Sequence, residues 1–134
     1  VFLDANILFS AAKSDGAIRR LLELLAARGD DCYVDDYVVA EARRNLEKKG
    51  PAAIEELDRL LIGMRVLAVK VMPRPQPDVD WLPEKDRPVL AAAIGAACNV
   101  LVTGDRAHFG SGYGRTFAGV VIHSPRSLAE TLLR

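Results

Sequence analysis

The sequence predicts an α/β fold: three layers, α/β/α, around a mainly parallel central sheet of about five strands. Two observations predict it. Short apolar runs alternate along the chain with longer stretches of helical periodicity. The runs are apolar throughout, as suits parallel strands covered on both faces. The proline-rich stretch "PRPQPDVD" is too short to separate one folded body from another, so residues 1–134 are read as one domain.

The elements follow in order. "VFLD" is a short buried strand and "ANILFSAAK" a helix. "SDGAIRRLLELLAARG" is a second helix, with Ile18, Leu21, Leu22 and Leu25 at helical spacing and Gly29 as its stop. "CYVD" is a second strand. "DDYVVAEARRNLEKKG" is helical, with Asp35 or Asp36 as N-cap and Gly50 as the end. Pro51 opens the next helix, where its missing N–H costs nothing. "RVLAVKVM" is a third strand, followed by the proline-rich loop. "EKDRPVLAAAIGAAC" is a helix with Pro88 in its first turn, and "NVLVT" a fourth strand. "GSGYGR" reads as a mobile glycine-rich loop; it lacks the spacing of a phosphate-binding loop or dinucleotide fingerprint. "GVVIHS" is a fifth strand, and Ser124-Pro125 starts a last helix.

Composition narrows the function classes. Half the residues are hydrophobic and 27% are charged, an ordinary globular mix. Lys+Arg 18 balances Asp+Glu 18, so no overall basic charge advertises nucleic acid, although a local basic face stays open. Cys32 and Cys98 are far apart and in no metal spacing, which suits two small core residues in a reducing cytoplasm. No apolar run approaches a membrane span and no secretory leader is recognisable. The chain opens without Met, so one or a few residues are expected before Val1.

In open parallel sheets, ligands bind outside the carboxyl ends of the strands. Asp4 closes the first strand and Asp105 follows the fourth, so both stand at that edge. Two more acids are candidates to join them. Glu41 sits early in its helix, near the face of Val38 and Leu46, and Asp86 opens the helix feeding the fourth strand. Four converging carboxylates repel one another unless a cation lies between them. Oxygen-only ligands suit Mg²⁺ or Mn²⁺ rather than Zn²⁺. Such ions generate hydroxide, hold a phosphodiester in line and stabilise the leaving oxygen. Taken singly, Asp4 and Asp105 also read as helix caps or turn residues, and Glu41 and Asp86 as solvated helix acids.

The order "VFLDANIL" … "VVAEARRNL" … "PEKDRPVLAAAIGAACNVLVTGDRAHF" resembles the PIN domain family of metal-dependent nucleases, over essentially the whole chain. The last block is the most specific: an acid opens an Ala/Gly-rich helix, then an apolar strand leads to Thr-Gly-Asp with Phe109 beyond. The resemblance implies a PIN-like fold with an acidic catalytic, metal-binding site of Asp4, Glu41, Asp86 and Asp105. Asn6 and Thr103 would orient carboxylates or water; otherwise Asn6 is a local cap and Thr103 an ordinary strand hydroxyl. Many relatives carry a further acid two residues after the Thr-Gly-Asp aspartate. Here that place is Ala107, followed by His108, a loop histidine that could touch phosphate. Small PIN proteins are often the toxins of VapBC-type pairs. The resemblance therefore implies an RNA substrate, a homodimer and a cognate antitoxin.

An acidic site needs basic neighbours to hold a phosphate backbone. Arg43 and Arg44 follow Glu41, Arg87 follows Asp86, Arg106 follows Asp105, and Arg115 lies in the glycine-rich loop, with Tyr113 a candidate for stacking on a base. The leucines of "AIRRLLELLAA" and "RSLAETLLR" either pack on the sheet or form a dimer face. Three alternatives compete. A haloacid-dehalogenase-type phosphatase needs a second Asp at position 6, where Asn6 stands. A receiver-like acidic pocket needs a Lys after the last strand, where Ser124-Pro125 stand. A catalytically weak PIN domain acting as a binding module is disfavoured by the four acids.

Overall fold

The computed structural model describes residues 1–68 and 79–134. Six strands are seen: β1 (Phe2–Leu3), β2 (Tyr33–Asp35), β3 (Arg65–Leu67), β4 (Val100–Val102), β5 (Thr116–Phe117) and β6 (Val120–His123). The helices are α1 (Ala5–Lys13), α2 (Ala17–Ala27), α3 (Asp36–Lys49), α4 (Ile54–Ile62), α5 (Arg87–Gly95), α6 (Arg106–Phe109) and α7 (Pro125–Leu132). The strands form one sheet in the order β3-β2-β1-β4-β6-β5, parallel throughout except for β5. The fold is α/β with helices flanking the sheet.

β1 is central, with Phe2 opposite both Tyr33 and Leu101, and Leu3 opposite Val102. It is wholly buried and leads directly into Asp4. Phe2 and Leu3 have no exposed surface. The same economy recurs at the carboxyl edge, where strands pass straight into capped helices. Asp35 Oδ1 accepts from Val38 N at the start of α3 (3.0 Å), and Ser124 Oγ from Ser127 N at the start of α7 (3.1 Å). Below that edge α1 packs against α2, α3 and α4, and α5 against β4. Leu21, Leu22, Leu25 and Leu128 are buried, so these leucines serve the core. Cys32 and Cys98 are free, and Cys98 is buried.

Three expectations change. The sheet has a sixth strand, because β5 and β6 form a hairpin. Its two-residue turn is Ala118-Gly119, with φ of 49° and 87°. Positive φ at both positions suits a hairpin turn, but Ala lacks the Asn-Gly signature that would have announced it. Second, β3 covers only 65–67 of the strand expected over 65–72; Ala68 lies outside the ladder and 69–72 lie outside the described residues, as do 73–78 of the proline-rich loop. Third, "GSGYGR" is packed rather than free. Gly110–Gly112 forms a 3-10 turn, and a Cβ on buried Gly112 would stand 2.5 Å from the Trp81 ring. Only glycine fits that approach. Arg115 lies 5.0 Å over the Phe117 ring and 5.9 Å over Trp81.

Candidate metal centre

Asp4, Asn6, Glu41, Asp86, Gly104 and Asp105 line one cleft of about 400 Å³ at the carboxyl edge of β1 and β4. Each acid arrives by a different local device. Asp4 and Thr103 continue the ladder past the strand ends: Asp4 N donates to Val102 O (3.1 Å) and Thr103 N to His123 O (3.0 Å). Glu41 is half-buried on α3, one step round from the buried row Val38, Ala42 and Leu46. Asp86 ends a 3-10 turn, Glu84–Asp86, just before α5. Two bonds hold that turn: Tyr37 Oη donates to Lys85 O (2.6 Å) and Arg87 Nε to Leu82 O (2.8 Å).

Asp4 is 4% exposed and fully partnered. Its Oδ1 accepts from Ala5 N (2.7 Å), so it does cap α1. Its Oδ2 accepts from Thr103 Oγ1 (2.8 Å) and Asn6 Nδ2 (3.1 Å). Thr103 has no exposed surface, and its hydroxyl also accepts from Asp105 N (3.2 Å) and Asn6 Nδ2 (3.2 Å). Asn6 Oδ1 accepts from Gly104 N (2.7 Å). Asn6 and Thr103 thus tie Asp4 to the turn that carries Asp105. Cap and cleft acid are one residue, not alternatives.

Burial pushes the Asp4 carboxyl up to about 6; the Thr103 and Ala5 hydrogen bonds oppose this, and the Glu41 and Asp86 charges add to it. Burial also raises Asp86, against the pull of His108 and Lys85 and with a push from Asp105.

Asp105 caps α6, its Oδ1 accepting from His108 N (3.1 Å). This turn brings the His108 ring against two of the cleft acids. His108 Nδ1 lies 2.9 Å from Asp86 Oδ2 and 2.9 Å from Asp105 Oδ2. The sequence hinted at this only through the i, i+3 spacing of Asp105 and His108. Asn45, one turn beyond Glu41, also lines the cleft and had no motif to mark it.

The donor set fits a divalent cation. Among the described residues the ligand atoms of Asp86, Asp105 and His108 lie within 4.8 Å of one another, while Asp4 and Glu41 line the same cleft outside that group. The buried Asp86 Oδ2 makes no aligned hydrogen bond.

The candidate basic residues divide. Arg43 is turned to α4, where it pairs with Asp58 (2.9 Å). Arg87 lines an apolar groove with Tyr33, Val66 and Pro88, away from the acids. Arg115 is held over aromatic rings, as described above. Arg44 and Arg106 are exposed, and neither forms an ion pair among the described residues. Tyr113 is half-buried and donates its hydroxyl to Thr103 O (2.7 Å), which anchors the glycine-rich turn to the site.

Comparison with known proteins agrees with the fold. The solved structures similar to this chain include the crystal structure of VapBC2 from Rickettsia felis bound to a DNA fragment from their promoter. The match has a TM-score of 0.65 at 17% identity and covers 92% of this chain and 96% of that one, a likeness of fold. No curated protein matches. Among the described residues no helix is long and apolar enough to cross a membrane. Residues 1–107 match the PIN domain family, which sets aside the phosphatase-like and receiver-like alternatives. That span is well over half of the sequence, and the chain belongs to the PIN domain family.

Proposed function

We propose that this chain, as one domain over 1–134, is a divalent-metal-dependent endoribonuclease that hydrolyses RNA phosphodiesters. The observation that carries this reading is the gathering of Asp4, Glu41, Asp86 and Asp105 around one cleft at the carboxyl edge of a PIN-family sheet. PIN domains are generally nucleases. Asp4, Glu41, Asp86 and Asp105 would hold the cation, Mg²⁺ or Mn²⁺. When bound, it supplies Lewis-acid chemistry for phosphodiester hydrolysis and offsets the mutual repulsion of the acids.

The chain's own residues do the positioning. Thr103 and Asn6 fix one oxygen of Asp4, and the Ala5 amide fixes the other. Asp105 is oriented at both ends, by its own amide on Thr103 and by its cap to α6. Arg44 and Arg106 are the exposed cations best placed in sequence, beside Glu41 and Asp105, to meet an RNA backbone.

The test is direct. Purified protein incubated with RNA should cleave with Mg²⁺ or Mn²⁺ and stop with EDTA; undiminished cleavage in EDTA would refute the reading. A finer reading is a cytoplasmic, homodimeric toxin of a VapBC-type pair, held by a cognate antitoxin; the likeness of fold to the VapBC2 structure supports its toxin–antitoxin part. A short reading frame beside the gene whose product suppresses cleavage is the expected finding. An adjacent product that leaves cleavage unchanged would remove that role and keep the nuclease.

A further inference from the structure

His108, in the short helix α6, meets two of the cleft acids. Among the described residues, Asp86, Asp105 and His108 form a group whose ligand atoms all lie within 4.8 Å of one another. Asp86 is 9% exposed. Its Oδ2 and His108 Nδ1 are both shielded from solvent and meet at 2.9 Å, within ion-pairing range, but without the alignment of a hydrogen bond. Buried polar atoms left so are costly, and native structures keep few of them without a reason.

The spacing supplies a reason. Two adjacent ligands about 2.1 Å from an octahedral ion lie about 3.0 Å from each other. His108 Nδ1 stands at 2.9 Å from a carboxylate oxygen on either side. The arrangement is also built in, since the carboxylate beside the imidazole caps the helical turn that carries it (Asp105 Oδ1 to His108 N, 3.1 Å).

We propose that His108 is a metal ligand, forming with Asp86 and Asp105 a mixed nitrogen–oxygen face, and that this face selects first-row transition dications over Mg²⁺. The proposal rests on the metal-dependent reading above. Mg²⁺ takes hard oxygen donors and keeps several waters, whereas imidazole suits transition ions.

Mn²⁺ is the probe, because its electron spin reports a coordinated nitrogen without any assay of cleavage. The full chain, stripped of metal and loaded with Mn²⁺, should show histidine-nitrogen modulation of the electron spin echo. The pattern should change on ¹⁵N-histidine labelling, persist in His123→Ala, which removes the chain's other histidine, and vanish in His108→Ala. By calorimetry, His108→Ala should weaken Mn²⁺ binding at least about tenfold and Mg²⁺ binding less. Should His108→Ala fail to fold, labelled wild type and His123→Ala decide the matter between them. Bound Mn²⁺ without nitrogen modulation, or modulation that survives His108→Ala, overturns the proposal and leaves the acid site standing. No Mn²⁺ binding to the wild-type chain overturns both.

Discussion

The two corners of the acidic cleft are built on opposite terms. At the Asp4 corner every carboxylate oxygen is satisfied, by Ala5 N, Asn6 and Thr103. At the Asp86 corner a buried oxygen has no hydrogen-bond partner and faces an imidazole nitrogen in the same condition. The first corner is pre-organised by the fold. The second is held only by the contact of Asp86 with His108. The difference teaches that one acidic cleft can be held rigidly by hydrogen bonds at one corner and loosely at the other.

The hardest test of the rigid corner is Asp4→Asn. Cleavage of RNA with Mn²⁺ should fall at least about a hundredfold, while circular dichroism and the melting transition show a folded chain. Full activity in the variant would break the comparison at its base.

The second test is pH. Folded Asp4 titrates at about 6, above its ordinary 3.8. Well below pH 3.8 both folded and unfolded chains hold this proton, and the group takes nothing from stability. As pH rises towards 6 the unfolded chain releases it first. Metal-free stability should therefore fall, by about 3 kcal/mol from this group once both states are ionised. Urea denaturation between pH 4 and 7 measures the slope, and Asp4→Asn should flatten it.

A third pair separates the corners. Thr103→Val leaves Asp4 Oδ2 and the Asp105 amide each short of a partner, and should cost about 1–3 kcal/mol by urea denaturation. Asp86→Asn should abolish cleavage yet change metal-free stability by no more than about 1 kcal/mol, because burial already disfavours that charge. Equal destabilisation by the two variants would contradict the division.

The smallest effects concern the cleft's surroundings. Arg106→Ala should lower the slope of log affinity against log salt for single-stranded RNA by about 0.7, the contribution of one phosphate contact. Arg43→Ala should leave that slope unchanged and cost less than about 0.5 kcal/mol, since its exposed pair with Asp58 is weak.

Much of this was legible in the chain. Asp35, Gly50, Ser124 and Pro51 mark helix ends through local chemistry, so sequence exposes them. Asp4 and Asp105 follow from the parallel-sheet rule, which needs only strand order and direction. Three features were not legible, each because it depends on contacts distant in sequence. β5 rests on a turn with Ala118 at positive φ, which no propensity favours. The glycine-rich turn is fixed by Trp81 and by Thr103, neither within its own sequence. Arg43 and Glu41 are two residues apart, yet the rotation of α3 sends one to α4 and the other to the cleft.

The close seating of Trp81 has a practical consequence. It is the chain's only tryptophan, and its ring meets Phe109 edge-on at 6.4 Å. Phe109 follows His108 in the same helical turn. A cation bound beside His108 is therefore expected to alter the indole's emission through the Phe109 contact. A fluorescence titration of the unlabelled protein would test this before any RNA is added.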